Sequence, residues 1–283
     1  MAELTSKPFM ADAFPELKKL RRLPETCDKH PTEHLVAMPG QQPFCQLCAI
    51  EAKQAADLDF QRQFFERKKH RLTYEVLDRD SIFDDDDDRQ RDFTNYEAKD
   101  GSEAAKNKQL ARHIAGKYLH ADYKANTILT GNAGTGKTHL AVSMLRAVND
   151  HINPSVSCLF VSVTSMMELI KDVFGYRAGD YKYTAEYFTR LLGDANLLVI
   201  DDLGSESTYR AAAAEATDFV QKTLFGILNR RHGRTIITTN LTMSEMKRIY
   251  NTKILSRMLR GVRAEGNVIK FTDATEDKRG DLF

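Results

Sequence analysis

Gly131-Asn132-Ala133-Gly134-Thr135-Gly136-Lys137-Thr138 is the stretch that decides the fold. It satisfies GxxxxGK[ST] in full, follows the short apolar run ANTILT (125–130) and precedes the helix-like HLAVSMLRAV. Glycines in such a loop let backbone N–H groups turn inward around phosphate oxygens, and the helix that follows directs its positive dipole end at the same anion. Lys137 then neutralises charge on the β- and γ-phosphates and the Thr138 hydroxyl ligates Mg²⁺. The residues expected against a nucleotide run from Gly131 through Thr138 to His139. A ligand-free Gly-rich turn is the bland alternative, and motif and context together leave it little room.

A Mg²⁺-nucleotide site also needs a carboxylate at the end of a neighbouring buried strand, and LLVIDD supplies one. Asp201 is the expected metal partner, held through water, and Asp202 the group that orients or deprotonates the attacking water. The runs ANTILT, VSCLFVSV (156–163), NLLVID (196–201), RTIITT (234–239) and NVIKF (267–271) are short and rich in Val, Ile and Thr, and segments of helical length separate them. Nearly continuous apolar strands alternating with helices predict an α/β fold whose parallel sheet is covered on both faces.

The rest of the chain bounds what surrounds this core. Its 283 residues, 42% hydrophobic and 29% charged, describe a folded protein of two domains rather than a disordered or collagenous one. No run approaches the roughly 20 apolar residues of a bilayer helix, and the N-terminal MAELTSKPFMADAFPELKKLRRL has no apolar core, so neither anchor nor secretory signal is expected and a cytosolic address follows. The net charge of +1 excludes polyanion binding through bulk charge, yet it is unevenly spread: residues 1–100 hold 16 Lys/Arg against 21 Asp/Glu, and residues 101–283 hold 25 against 19. Residues 45–78 contain no Gly or Pro and predict one long helix, with apolar positions at Ile50, Leu58, Phe64, Phe65, Leu72 and Val76. The acidic run Asp84 to Asp88 interrupts the periodicity and predicts a solvated linker. The expected division is therefore 1–78, a linker at 79–102, and 103–283.

Three of the four cysteines fall within 22 residues. Cys27-x-x-His30 and Cys45-x-x-Cys48 are two ligand pairs at the spacing that lets each pair grip one tetrahedral ion, with Pro31, Pro39, Gly40 and Pro43 in the loop between them. Sulfur and imidazole donors with no open position point to structural Zn²⁺ in a small, mainly helical domain. His34 remains an alternative to His30, and three reduced cysteines with an unrelated histidine remain the bland reading.

GNAGTGKTHLA, VIDDLGSE, TTN and LSRMLRG, in that order, resemble the AAA+ ATPases, and within them the DnaC/DnaI-type helicase loaders and their relative, the transposition helper IstB, over roughly residues 105–283. The resemblance implies that Asn240 senses the γ-phosphate. It implies that Arg257 serves as an arginine finger for a neighbouring subunit, with Arg260 and Arg263 close enough to be confused with it, and that Arg279 reaches the nucleotide of its own subunit. A finger acts only across an interface, so self-association is implied. The acid pair departs from the Asp-Glu of many AAA+ enzymes; the shorter Asp202 loses about one C–C bond, roughly 1.5 Å, of reach, and slow ATP hydrolysis is expected. A zinc-bearing N-terminal domain is similar to the DnaI-like branch and is lacking in IstB-like proteins. In such loaders that domain holds the replicative helicase, a DnaB-type hexamer; the local candidates for contact are Phe9, Phe14, Leu17 and Leu20 and the exposed faces of the helix at 45–78.

One further segment, KDVFGYRAGDYKYTAEYFTR (171–190), interleaves aromatic and basic residues, as a single-stranded DNA contact without sequence preference requires. Lys171, Tyr176, Arg177 and Lys182 are the candidates, although most of the rings read equally as the core side of a helix pair. Three functions stay open: a helicase loader with ATP, Mg²⁺ and Zn²⁺, an IstB-like helper of transposition, and an adaptor that binds nucleotide without hydrolysing it.

Overall fold

The computed structural model describes residues 21–173, 182–205 and 218–275. It divides into two compact units, Met1–Lys68 and Lys69–Phe283. No helix among the described residues is long and apolar enough to cross a membrane.

The first unit contains an antiparallel strand pair, β1 (Arg21–Thr26) and β2 (His34–Ala37), and the start of a 27-residue helix, α1 (Gln46–Leu72). The strand pair is absent from the sequence-based expectation of a mainly helical module. Its first strand is polar, carries Pro24 at the irregular stretch between Arg22 and Thr26, and buries none of its residues, so no alternation marks it. α1 stops six residues short of the expected 78 and buries none of its residues; Leu58, Phe60, Phe64 and Phe65 are each more than half exposed.

In the second unit a five-stranded parallel sheet runs in the order β4-β5-β6-β3-β7, with β3 at Thr127–Gly131, β4 at Cys158–Ser162, β5 at Leu197–Leu203, β6 at Arg234–Thr239 and β7 at Val268–Phe271. All five expected runs are strands. Side chains alternate across the sheet, and both sets are apolar, which is why the runs looked continuous. Leu129, Phe160, Leu197, Val199, Ile236 and Ile269 pack under α3 (Glu103–Tyr118) and α4 (Lys137–His151). Ile128, Leu159, Val161, Leu198, Ile200 and Ile237 face α5 (Val163–Val173), α6 (Ala185–Asp194), α7 (Asp218–Arg230), α8 (Met243–Ile249), α9 (Thr252–Met258) and α10 (Val262–Glu265). The order inserts β6 between the phosphate-loop strand β3 and the acidic strand β5, so side chains from β6 reach both.

Residues 79–102 differ from the expected solvated linker. Leu77 and Val76 are buried in the short helix α2 (Val76–Asp80). Ile82 then adds a parallel bridge to Val161 at the sheet edge, its N–H donating to Phe160 O at 2.9 Å and its carbonyl accepting from Ser162 N–H at 2.9 Å. Phe83 stacks on Phe160 with centroids 4.1 Å apart, and Tyr96 is 1% exposed. Asp84 to Asp87 do face solvent, as their charge demands, but apolar residues on either side of the run pin the segment to the second unit. Tyr96→Ala is therefore expected to destabilise this unit by about 3 kcal/mol, the cost of emptying a buried aromatic site. Urea unfolding followed in the second unit measures it, and a change below about 1 kcal/mol would restore the linker reading.

Candidate nucleotide site

The phosphate loop leaves β3 through Gly131 (φ 145°), turns at Gly134 (φ 75°) and enters α4 at Gly136 (φ 91°). These left-handed backbones are accessible to glycine with little strain. Gly131 is required a second time by close packing, since a Cβ there would lie 2.1 Å from Phe271 O on β7. The loop is tied internally by Thr135 Oγ1 donating to Asn132 O at 2.8 Å and externally by Asn132 Nδ2 donating to Asp273 Oδ1 at 2.7 Å. Lys137 is buried, and its ammonium donates to the carbonyls of Gly131, at 2.9 Å, and Asn132.

Thr138 Oγ1 lies 3.1 Å from both carboxylate oxygens of Asp201, the last of five consecutive buried residues of β5. Burial pushes the Asp201 carboxyl up to about 7, hydroxyl donors from Thr238 and Thr138 oppose that rise, and the negative charge of Asp202 adds to it. A cation at this point would hold the group ionised. Asp202 follows in a left-handed backbone (φ 52°) at an irregularity between Ile200 and Leu203. Asn240 Nδ2 donates to Asp202 Oδ1 at 3.1 Å, and Ser205 Oγ donates to the other oxygen. Lys137, Thr138, Asp201, Asp202 and Asn240 are thus brought to one end of the sheet.

His139 is engaged elsewhere. Its Nε2 lies 3.0 Å from Asp92 O and 2.7 Å from Asn95 Oδ1, Arg91 Nη1 is 3.3 Å from Nδ1, and Tyr96 meets the ring edge-on at 5.0 Å. The imidazole holds residues 91–96 against the start of α4, and Tyr96 lies 3.0 Å from where a Gly136 Cβ would be. Arg257 packs on its own chain, donating to Lys253 O at 2.8 Å and Asn229 Oδ1 at 2.7 Å with its guanidinium 4.7 Å above Phe225. Arg260 donates to Arg231 O at 3.4 Å, and Arg279 lies outside the described residues. Of the DNA candidates, Lys171 and Lys182 are exposed, whereas Tyr176 and Arg177 lie outside the described residues, as do Phe174 and Tyr181. Tyr183, Tyr187 and Phe188 form one ring cluster on the core, with Phe188 fully buried. Phe9, Phe14, Leu17 and Leu20 also lie outside the described residues.

In the first unit the metal-ligand atoms of Cys27, His30, Cys45 and Cys48 all lie within 4.8 Å of one another. His30 Nδ1 is 3.3 Å from Cys48 Sγ, 3.6 Å from Cys45 Sγ and 3.8 Å from Cys27 Sγ, and the Cys27 and Cys48 sulfurs are 3.5 Å apart. Ideal tetrahedral Zn–S and Zn–N bonds require edges of about 3.8 Å between sulfurs and about 3.6 Å between sulfur and nitrogen, so the four donors fit one zinc ion. His30 Nε2 lies 3.1 Å from Glu51 Oε1, the outer contact that fixes a ligand imidazole. His34 instead has its Nδ1 3.0 Å from Leu23 O.

Sequence reasoning missed Thr238, whose hydroxyl touches both aspartates, and the 91–96 segment. The signal for the first was a pair of adjacent hydroxyls, Thr238 and Thr239, closing the buried strand RTIITT.

A glycine-lined phosphate loop, an acidic strand end two strands away and a polar residue ending the strand between them define an AAA+ P-loop nucleotide-binding core. The chain belongs to the family of IstB-like ATP-binding proteins, whose sequence profile matches residues 61–271. No curated protein sequence matches it significantly. Among solved structures it is similar to AMPPCP-bound DnaA from Aquifex aeolicus (16% identity, 67% of this chain and 52% of that one, TM-score 0.47). It is also similar to DnaI (18%, 68% and 95%, 0.49) and to the DnaC helicase loader (19%, 66% and 99%, 0.46). The chain spans about half the length of the DnaA structure.

Proposed function

We propose that this protein is an ATP-dependent helicase loader of DNA replication: a zinc-bearing N-terminal module holds a replicative hexameric helicase, and the AAA+ domain binds ATP and Mg²⁺, self-associates and engages single-stranded DNA. The observation that carries the reading is the pairing, in one chain, of the Cys27–His30–Cys45–Cys48 cluster with the IstB-like nucleotide core. The exposed Leu58, Phe60, Phe64 and Phe65 add an apolar surface of the kind protein partners cover. Lys137, Thr138 and Asp201 hold ATP·Mg²⁺, Asp202 and Asn240 flank the attacking water, and hydrolysis is slow. A cytoplasmic location accompanies this role. Co-purification of the tagged protein with its host's replicative helicase, with and without ATP, tests it, and no association under either condition would sink it. The family match itself favours a second reading, a transposition helper; bending of duplex DNA without helicase association would establish that one instead.

Arg257 is proposed as the finger of a neighbouring subunit. Arg257→Ala is expected to retain ATP binding while losing at least about 100-fold in oligomer-dependent hydrolysis, since a cation on the transferring phosphoryl group is worth that much or more. Hydrolysis at the normal rate would remove the assignment. For DNA, the combined Tyr176→Ala, Arg177→Ala and Lys182→Ala protein is expected to bind single strands at least about 10-fold more weakly, with one stacking ring lost. Loss of two phosphate contacts lowers the slope of log affinity against log salt by about 1.4. A salt titration with unchanged affinity and slope would exclude the segment.

A further inference from the structure

Thr238 occupies a place in the site to which the motifs assign no role. It lies on β6, is 1% exposed, and points at the junction between the two aspartates of β5. Its Oγ1 is 2.6 Å from Asp201 Oδ1 and 2.9 Å from the backbone N of Asp202. These two contacts fix the hydroxyl's polarity. The Asp202 N–H can only donate, so the oxygen accepts from it, and the single hydroxyl hydrogen is directed at Asp201 Oδ1. One buried hydroxyl therefore joins two consecutive residues that face different ways.

The chain between those residues passes through a backbone conformation that resists it. Asp202 sits at φ 52°, a conformation costly for a residue with a Cβ, at the point where the β5–β6 register slips between Ile200 and Leu203. The ordinary β-ladder cannot hold the Asp202 N–H at this slip, and Thr238 accepts it instead. With the turn held, Asp201 faces Thr138 and Asp202 faces Asn240. Thr239, the next residue, donates to Leu203 O and so closes the far side of the same irregularity.

We infer that Thr238 is a positioning residue of the nucleotide site, its hydroxyl orienting Asp201 toward the Thr138–Mg²⁺ position while locking the turn that aims Asp202 at the water. This deepens the proposed nucleotide function and rests on it. Thr238 touches no reacting atom; its effect passes through the two carboxylates. Outer contacts of this sort change metal affinity or activity by about 10- to 100-fold when removed.

The experiment compares wild type, Thr238→Val and Thr238→Ser by titration with a fluorescent ATP analogue in EDTA and in Mg²⁺. Valine keeps the shape and loses the hydroxyl; serine keeps the hydroxyl. In EDTA all three are expected to bind within about 3-fold of one another, since the phosphate loop itself is untouched. The gain in affinity on adding Mg²⁺ is expected to fall about 10-fold in Thr238→Val and to return to within about 3-fold of wild type in Thr238→Ser. Where turnover is measurable, Thr238→Val lowers kcat with little change in KM. An Mg²⁺ gain equal to wild type in Thr238→Val, or serine behaving like valine, overturns the assignment. A Thr238→Val protein that no longer binds in EDTA overturns it as well, because the residue is then structural. Wild type that binds nucleotide under neither condition removes the nucleotide reading, and this one with it.

Discussion

Lys137→Ala weakens ATP binding by at least about 100-fold while leaving the fold and the metal content of the N-terminal module unchanged. The ammonium sits buried at the mouth of the phosphate loop, donating to the carbonyls of Gly131 and Asn132. Those acceptors orient it, so a polyphosphate entering the loop meets a cation already desolvated and aimed. Charge-assisted hydrogen bonds contribute about 1.5–3 kcal/mol each, and two of them lost together correspond to a factor of 100 or more at about 1.4 kcal/mol per tenfold. Alanine also frees the two carbonyls to face the incoming phosphate, which adds repulsion. Calorimetric titration measures the affinity, and circular dichroism with metal analysis establishes that the variant is folded. A Kd within about threefold of wild type would mean that the loop does not carry the phosphates.

The loop was legible because its chemistry and its neighbours in sequence say the same thing: a buried apolar strand, glycines where the backbone must turn inward, and a helix beyond. The five strands were legible for a related reason, since residues on both faces of a covered sheet must be apolar. Reading failed where one physical cue outweighed another. The run Asp84 to Asp88 announces solvent, and the first four of those side chains do meet it, yet Ile82, Phe83 and Tyr96 are enough to fasten the segment to the second unit. His139 stands next to Thr138 in sequence, but the helix rotates successive residues by about 100°, so its ring meets residues 91–96 rather than the loop interior. β1 buries nothing and leaves no periodic trace. Thr238 acts through strand order: until β6 is known to lie between β3 and β5, nothing in RTIITT places its hydroxyl at the two aspartates. Arg257 shows the remaining limit, because the residues that would give a finger its role belong to a second copy of the chain.

Removing zinc is expected to unfold the first unit and leave the second intact. Of the apolar residues described between 21 and 68, only Cys27, Val36 and Cys45 are buried, and two of these are metal ligands. A strand pair of six and four residues and a helix with no buried residue cannot offset their ordering entropy by burial of apolar surface. A zinc ion held by the four donors would supply what the core lacks, since apparent zinc-binding free energies of about 10–16 kcal/mol in such small modules exceed any contribution available from Val36 alone. Wild type is expected to carry one zinc per chain. Cys45→Ser and His30→Ala should lose it, and protease should then cut residues 21–68 rapidly while the second unit survives. Cys158→Ser should keep its zinc, because that thiol is buried in β4 and is not one of the four clustered donors. His34→Ala should keep it too, since its ring is directed at Leu23 O rather than at the sulfurs. Retention of zinc and protease resistance by Cys45→Ser would show that the module is held by something other than the metal, and loss of zinc from His34→Ala would exchange the fourth ligand.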